Sequence, residues 1–245
     1  YDGKMKRLVV LTGAGVSAES GISTFRDNGG LWDNYDPHEV ASIDGWYRNP
    51  GLMLDFYNIR RKELAGVKPN DAHLAIAALQ DRYDVDVVTQ NVDNLHERAG
   101  SSRVLHLHGE LTKVRPENCC NEEDGFSEKT VFDIGYGEIH LGDKAPNGHQ
   151  LRPHIVWFGE PVPKIEKAID IVSAADILLI VGTSLSVYPA AGLYRYAPLD
   201  TPVYLIDPGD VNVRDRRIRH IRAKATDGMK IFQEEIRCSA SEKNL

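Results

Sequence analysis

The chain has 245 residues, 42% hydrophobic and 27% charged, enough to bury the core of one large domain or of a large domain carrying a smaller insertion. Its 36 acidic residues against 29 basic ones leave a formal charge of −7, which argues against broad binding to a nucleic-acid backbone. No apolar run reaches membrane-spanning length, and Leu8–Leu11 leads straight into glycines rather than a cleavage signal, so no membrane is expected as a partner and the expected location is cytoplasmic. The three cysteines, Cys119, Cys120 and Cys238, form no disulfide framework, since neighbouring Cα atoms lie only ~3.8 Å apart.

Arg7–Thr12 reads as a short buried strand, and the small residues from Gly13 to Gly21 as the turn and helix start after it. Such a loop lets backbone N–H groups approach a pyrophosphate at a helix N-terminus. Gly13 and Gly15 would supply the tight turn and close approach, Ala14 stays small, and Ser17 offers a hydroxyl. The next glycine is Gly21, so the G-x-G-x-x-G spacing fails, and no acidic residue follows a second strand at ribose-reading distance. A nucleotide turn and an ordinary strand-to-helix turn both remain open on this fragment. Phe25 and Arg26 follow, as a ring to close over a ligand and a guanidinium to return to a phosphate, or as a core anchor and a surface ion-pair partner.

Residues 28–67 then interrupt the pattern with Gly, Pro, Trp and Tyr around a helical run, Leu52–Leu64, and no clear strand. A helix is predicted at Ala72–Leu79 and a strand at Val85–Thr89, which ends in Gln90-Asn-Val-Asp93. Asn91 and Asp93 are two apart and share a direction in an extended segment, where an amide and a carboxylate can bind a carboxamide. Asp93 as a cap for a helix Leu95–Ala99 is the alternative. A further strand, Val104–Leu107, ends at His108-Gly109. His108 is favoured over His106 as a proton acceptor because it stands at the strand end, and Gly109 would let a substrate approach; a structural histidine remains the alternative.

The polar stretch Arg115–Gln150 is a second interruption. Helix Ile165–Ala175, strand Ile177–Val181 and strand Val203–Ile206 complete the pattern, with Gly182-Thr183-Ser184 after the second of these as phosphate or ribose ligands or as a cap. Val187–Ala190 is expected to pack around a rigid turn, and Ser239–Leu245 to fray. Continuous apolar strands alternating with helices predict an α/β fold, a doubly wound, mostly parallel, Rossmann-like sheet built from residues 1–27, 68–114 and 151–237. Residues 28–67 and 115–150 would form a smaller inserted lobe, and 238–245 a tail.

The blocks Gly13–Arg26 (with Ser23 where proline is usual), Gln90–Asp93, His108-Gly109, Arg152–Glu160 and Gly182–Ser184 resemble, in order and place, the sirtuins, the NAD-dependent protein-lysine deacylases. The resemblance covers roughly residues 7 to 235. It implies NAD with its pyrophosphate over Gly13, Ala14 and Gly15, near Ser17, Phe25 and Arg26, and its carboxamide near Gln90, Asn91 and Asp93. It also implies Gly182, Thr183 and Ser184 as cofactor residues, and Asp207 near the adenosine ribose where the family usually has asparagine. An acyl-lysine oxygen would attack the ribose carbon as nicotinamide leaves, giving an alkylimidate. His108 would then act as general base with Asn91 beside it, and free lysine and O-acyl-ADP-ribose would follow. The peptide would add as a strand along Val156–Phe158, with Trp157 and Phe158 lining the lysine tunnel.

Tyr57 and Arg60 lie i,i+3 on the predicted helix and resemble the pair by which one sirtuin class recognises succinyl, malonyl or glutaryl lysine; Ala41 matches the small residue that widens that acyl pocket. The family's structural zinc hangs on two C-x-x-C pairs. Here Pro116 precedes Cys119 by three and the second pair is missing, so zinc is expected to be absent, Cys119, Cys120, His140 and His149 making an awkward substitute set. Partners implied are acylated lysines of proteins; oligomeric state stays open. Two other accounts survive at this level: a hydride-transferring NAD oxidoreductase, and an NAD or ADP-ribose sensor with a structural His108.

Overall fold

The computed structural model describes residues 5–22, 35–118, 128–211 and 215–242. In chain order these form β1 (Arg7–Thr12), α1 (Gly15–Ala18), α2 (Pro37–Val40), α3 (Ile43–Arg48), α4 (Pro50–Gly66), α5 (Asp71–Ala78), β2 (Asp84–Thr89), α6 (Leu95–Arg98), β3 (Val104–His106) and β4 (Gly109–Pro116). They continue with β5 (Phe132–Asp133), β6 (Leu151–Ile155), α7 (Ile165–Ser173), β7 (Ile177–Val181), β8 (Val203–Ile206), β9 (Ile218–Ile221) and α8 (Ala225–Glu242).

Six strands pair in parallel in the order β3-β2-β1-β7-β8-β9. Strand residues alternate between the two faces. Leu8 and Val10 of β1, with Leu179 and Val181 of β7, pack under α5 and under Met229 and Phe232 of α8. Val9 and Leu11, with Leu178 and Ile180, pack under Ala168 and Val172 of α7. Burial on both faces accounts for the unbroken apolar runs. The order reverses at β1, which lies between β2 and β7, so a crevice opens at the carboxyl ends of these strands.

A second sheet, β5-β4-β6, is antiparallel and packs with α4 around a separate core containing Met53, Phe56, Leu111, Val114 and Ile155. Gly109–Pro116 and Leu151–Ile155 both belong to this sheet. Side chains of α4 brace it: Asn58 Nδ2 donates to the Ile139 carbonyl at 2.9 Å and its Oδ1 accepts the Ile139 N–H at 3.1 Å, while Arg61, fully buried, donates Nε–H to the Leu111 carbonyl at 2.8 Å. The expected frayed tail is corrected in part, because α8 runs to Glu242. Tyr188 is 67% exposed, so the turn at Val187–Ala190 is packed only at Ala190. Among the described residues no helix is long and apolar enough to cross a membrane.

Candidate active site

The glycine turn after β1 meets the turn after β7 backbone to backbone. Gly15 N–H donates to the Gly182 carbonyl at 2.9 Å and Gly13 N–H to the Val181 carbonyl at 3.1 Å. A Cβ on Gly13 would lie 2.8 Å from the Gly182 oxygen, and one on Gly15 2.7 Å from Gly182 Cα. Gly182 itself has φ +64°, in the left-handed region that favours glycine. Two N–H groups expected to face a phosphate are therefore spent on closing the fold, and among the described residues only the Ala14 N–H of Gly13–Gly15 keeps no partner. The buried Ser17 hydroxyl points inward and donates to Asp93 Oδ2 at 2.9 Å.

Asn91 donates its side-chain N–H groups to the Gly13 carbonyl at 3.1 Å and Ser17 Oγ at 3.2 Å, and its main-chain N–H to Thr89 Oγ1 at 3.0 Å. Both amide hydrogens are thus tied inward and Oδ1 is the end left over. Asp93 accepts the N–H of Leu95, the first residue of α6, at 3.0 Å, as well as joining Asn91 at Ser17. Burial raises the Asp93 carboxyl above its ordinary value, opposed by the Leu95 and Ser17 bonds. His73 reaches the same hydroxyl, its Nε2 lying 3.3 Å from Ser17 Oγ, while its Nδ1 accepts the Asn70 N–H. Spacing alone gave no sign of His73 in this group.

The two histidines of β3 and its end separate clearly. His106 is buried, whereas His108 is partly open and donates Nδ1–H to the Gln90 carbonyl at 3.1 Å. That bond leaves Nε2 of His108 as the basic nitrogen. Burial lowers the His108 pKa, opposed by the Gln90 bond, and so favours the neutral base. Gly109 serves a different purpose from the one expected: a Cβ there would overlap the His154 carbonyl, so the glycine admits β6 rather than a ligand. Gln90 Nε2 donates to Thr183 Oγ1 at 3.3 Å, the Ser184 and Ser186 hydroxyls lie 2.8 Å apart, and Asp207 Oδ1 accepts the Gly209 N–H at 2.8 Å. Phe25, Arg26, Cys119 and Cys120 lie outside the described residues.

Val156–Phe158 is not an open edge. Val156 N–H donates to the His108 carbonyl, Phe158 N–H to the Ala41 carbonyl, and Trp157 N–H to Glu160 Oε2, while the Phe158 carbonyl accepts from Ile43 and the Trp157 carbonyl from Glu160. Of the segment's main-chain groups only the Val156 carbonyl lacks a described partner. Trp157, 2% exposed, belongs to the core, and Phe158, 54% exposed, faces outward. Arg152 stacks on the Trp157 ring at 3.5 Å and grips Glu160 with two N–H groups at 2.7 and 2.9 Å; Arg115 adds a third at 3.5 Å. This buried pair of guanidinium groups on one carboxylate was not foreseen.

Tyr57 is buried on α4 and accepts the Trp157 indole N–H at 2.9 Å; Arg60, one turn on, is half-buried. Burial pushes the Tyr57 hydroxyl up to about 12, the nearby Arg60 charge opposing it. Ala41 is buried beside the same loop, bonded through its carbonyl to Phe158. The position where the family's first zinc thiolate would stand is Pro116, buried and paired with Leu151, and the 143–151 hairpin closes through main-chain bonds such as Ala145 N–H to the His149 carbonyl. Among the described residues no group of three or more His, Cys, Asp or Glu could hold a metal ion.

The model of the Sir2 family matches residues 13–189. An NAD-dependent protein deacylase of Bacteroides thetaiotaomicron is 55% identical over 233 residues, 94% of this chain and 97% of that one. One from Helicobacter pylori strain J99 is 49% identical over 242 residues, 98% of this chain and all of that one, 100%. A solved complex of a Sir2 homologue with NAD superposes with a TM-score of 0.82 at 37% identity, covering 96% of this chain and 91% of that one. A Sir2 protein bound to a propionylated peptide gives 0.74 at 27% identity, covering 94% and 93%. With its glycine turn, its Gln90–Asp93 loop and His108 all inside the matched span, the chain belongs to the Sir2 family.

Proposed function

We propose that this NAD-dependent protein deacylase prefers lysines carrying succinyl, malonyl or glutaryl groups over acetyl lysine, acting on protein side chains in a reducing, cytoplasmic setting. The observation that carries the reading is the bond from Trp157 to Tyr57. It fills an acceptor site of the phenol, so the Tyr57 O–H is left to donate, one helical turn from the Arg60 guanidinium. A planar cation and a hydroxyl donor on one helix face suit a carboxylate. Ala41 is small, so its side chain takes little of the space a longer acyl chain would need.

NAD supplies the electrophilic ribose carbon, and the chain's residues do the rest. The backbone of Gly13 and Gly15, closed on Gly182, shapes a floor without side chains on which Ala14 offers its N–H. Asn91 presents Oδ1, and Asp93 is held beside it by Ser17. His108, neutral and with Nδ1–H committed to Gln90, takes a proton at Nε2 from the ribose hydroxyls. In this reading the Val156 carbonyl accepts the acyl-lysine amide N–H.

Mass spectrometry of a reaction containing NAD and acetyl-, malonyl-, succinyl- and glutaryl-lysine versions of one peptide tests this reading. Nicotinamide and O-acyl-ADP-ribose, formed fastest with the acidic acyl groups, are expected. Recovery of NADH would favour hydride transfer, and binding without nicotinamide release would favour a sensor.

A further inference from the structure

His106 lies between two groups that can only accept. Its Nδ1 is 2.8 Å from the Asn91 carbonyl and its Nε2 is 2.8 Å from Glu97 Oε1. An imidazole in that position donates from both nitrogens when it carries the positive charge. The side chain is 3% exposed, while that of Glu97 on α6 is 40% exposed, so a buried cation is coupled to a carboxylate at the surface. Burial lowers the His106 pKa, but Glu97 outweighs it and the net direction is up; burial raises that of Glu97, and His106 brings it down.

Two consecutive carbonyls are thus held by two histidines on either side of Leu107: Gln90 by His108 and Asn91 by His106. We propose that the His106–Glu97 pair is a positioning device, in which a doubly protonated His106 holds the Asn91 carbonyl and so fixes the Gln90–Asn91 backbone that orients His108 and Asn91. This rests on the assignment of His108 as general base. The other charged or titratable groups facing His106 are Glu110 of β4, Asp93 of the loop after β2 and His96 of α6, while Lys113 acts on Glu97. Of these, Glu97 alone makes a direct side-chain bond to His106. Without it burial meets weaker opposition, and the His106 proton leaves at lower pH.

The test is the pH profile of kcat for the full chain and its Glu97→Gln variant, a substitution at a half-exposed position that keeps the size of the side chain. At the acid end of the profile, where His106 is protonated in both proteins, the variant should turn over close to the parent rate. As pH rises through the range where only the parent keeps the His106 proton, the variant should fall behind about tenfold, as expected for loss of a charge-assisted bond. Nitrogen NMR of the His106 ring should show both nitrogens protonated in the parent, with deprotonation at lower pH in the variant. An unchanged profile, or an equal loss at every pH, would overturn the inference. His108→Ala measured alongside separates the two levels: if it kept turnover, the general-base assignment itself would fall. If it abolished turnover while Glu97→Gln shifted nothing, only the positioning role would.

Discussion

Trp157 donates its indole N–H to the phenolic oxygen of Tyr57 across 2.9 Å, joining the loop after β6 to the middle of α4. The bond fixes where the Tyr57 hydroxyl points, and Arg60 stands on the same side of the helix. Arg60→Met should therefore lower the succinyl-to-acetyl ratio of kcat/KM about thirtyfold, or ~2 kcal/mol. Tyr57→Phe should lower it less, about fivefold, because one neutral donor is lost. Full succinyl preference in Arg60→Met would remove Arg60 from acyl recognition.

Gly182 combines a left-handed backbone with contact against Gly15 and Val16. Gly182→Ala has to move the glycine turn as well as strain its own backbone, and should cost about 2–4 kcal/mol in urea unfolding. NAD binding, followed by calorimetry, should weaken in the same variant. A loss confined to binding, with stability intact, would mean that the contact between the two turns is dispensable.

Glu160 faces two buried guanidinium groups. Glu160→Gln leaves both charges without their carboxylate and should lower stability by about 3–5 kcal/mol, visible as a drop in Tm. Arg152→Met, which keeps an apolar contact with Trp157 and leaves Arg115 with Glu160, should cost less.

Burial, opposed by Glu97, holds His73 down to about 4; burial, with Arg115, Lys164, Lys113 and Arg152, holds His154 to about 3. Both stay neutral in the fold while an unfolded chain's histidines take protons near 6.5. Below about pH 6.5 the unfolded state binds more protons, so stability falls with pH until the folded groups titrate as well, near 4 and then 3. Urea titrations should show little pH dependence from these groups between pH 7 and 8 and a steady decline from 6.5 to 4. If His73→Gln left the slope over that range unchanged, His73 would not be its source.

Protein purified without chelator should carry well under one equivalent of zinc. Elemental analysis checks this, and a full equivalent would show that Cys119 and Cys120 recruit other ligands.

Strand and helix order was legible because β1, β7 and β8 are buried on both faces and carry unbroken apolar runs. β9 was not, since Ile218–Ile221 is polar at Arg219 and His220 on an edge strand. Nor were β4 and β6, whose antiparallel pairing depends on partners 35 or more residues away, as between Arg115 and Arg152. At the site, the chemical types at Asn91, Asp93 and His108 could be read, but the direction of each hydrogen bond could not. The close backbone approaches behind the glycines could not be read either. Gly13, Gly15 and Gly109 look like room for a ligand, and each admits another stretch of this chain's own backbone.

The brace from Asn58 and Arg61 to the small sheet uses the same helix that carries Tyr57 and Arg60. Two i,i+3 pairs offset by one residue thus adjoin along α4: Asn58 and Arg61 staple the lobe, and Tyr57 and Arg60 are the pair proposed to read the acyl group. On the proposed reading, substrate choice and lobe integrity are coupled through α4. In the same reading, changes that loosen the Ile139 or Leu111 attachments should blur selectivity between acyl groups before they lower turnover through the proposed base His108.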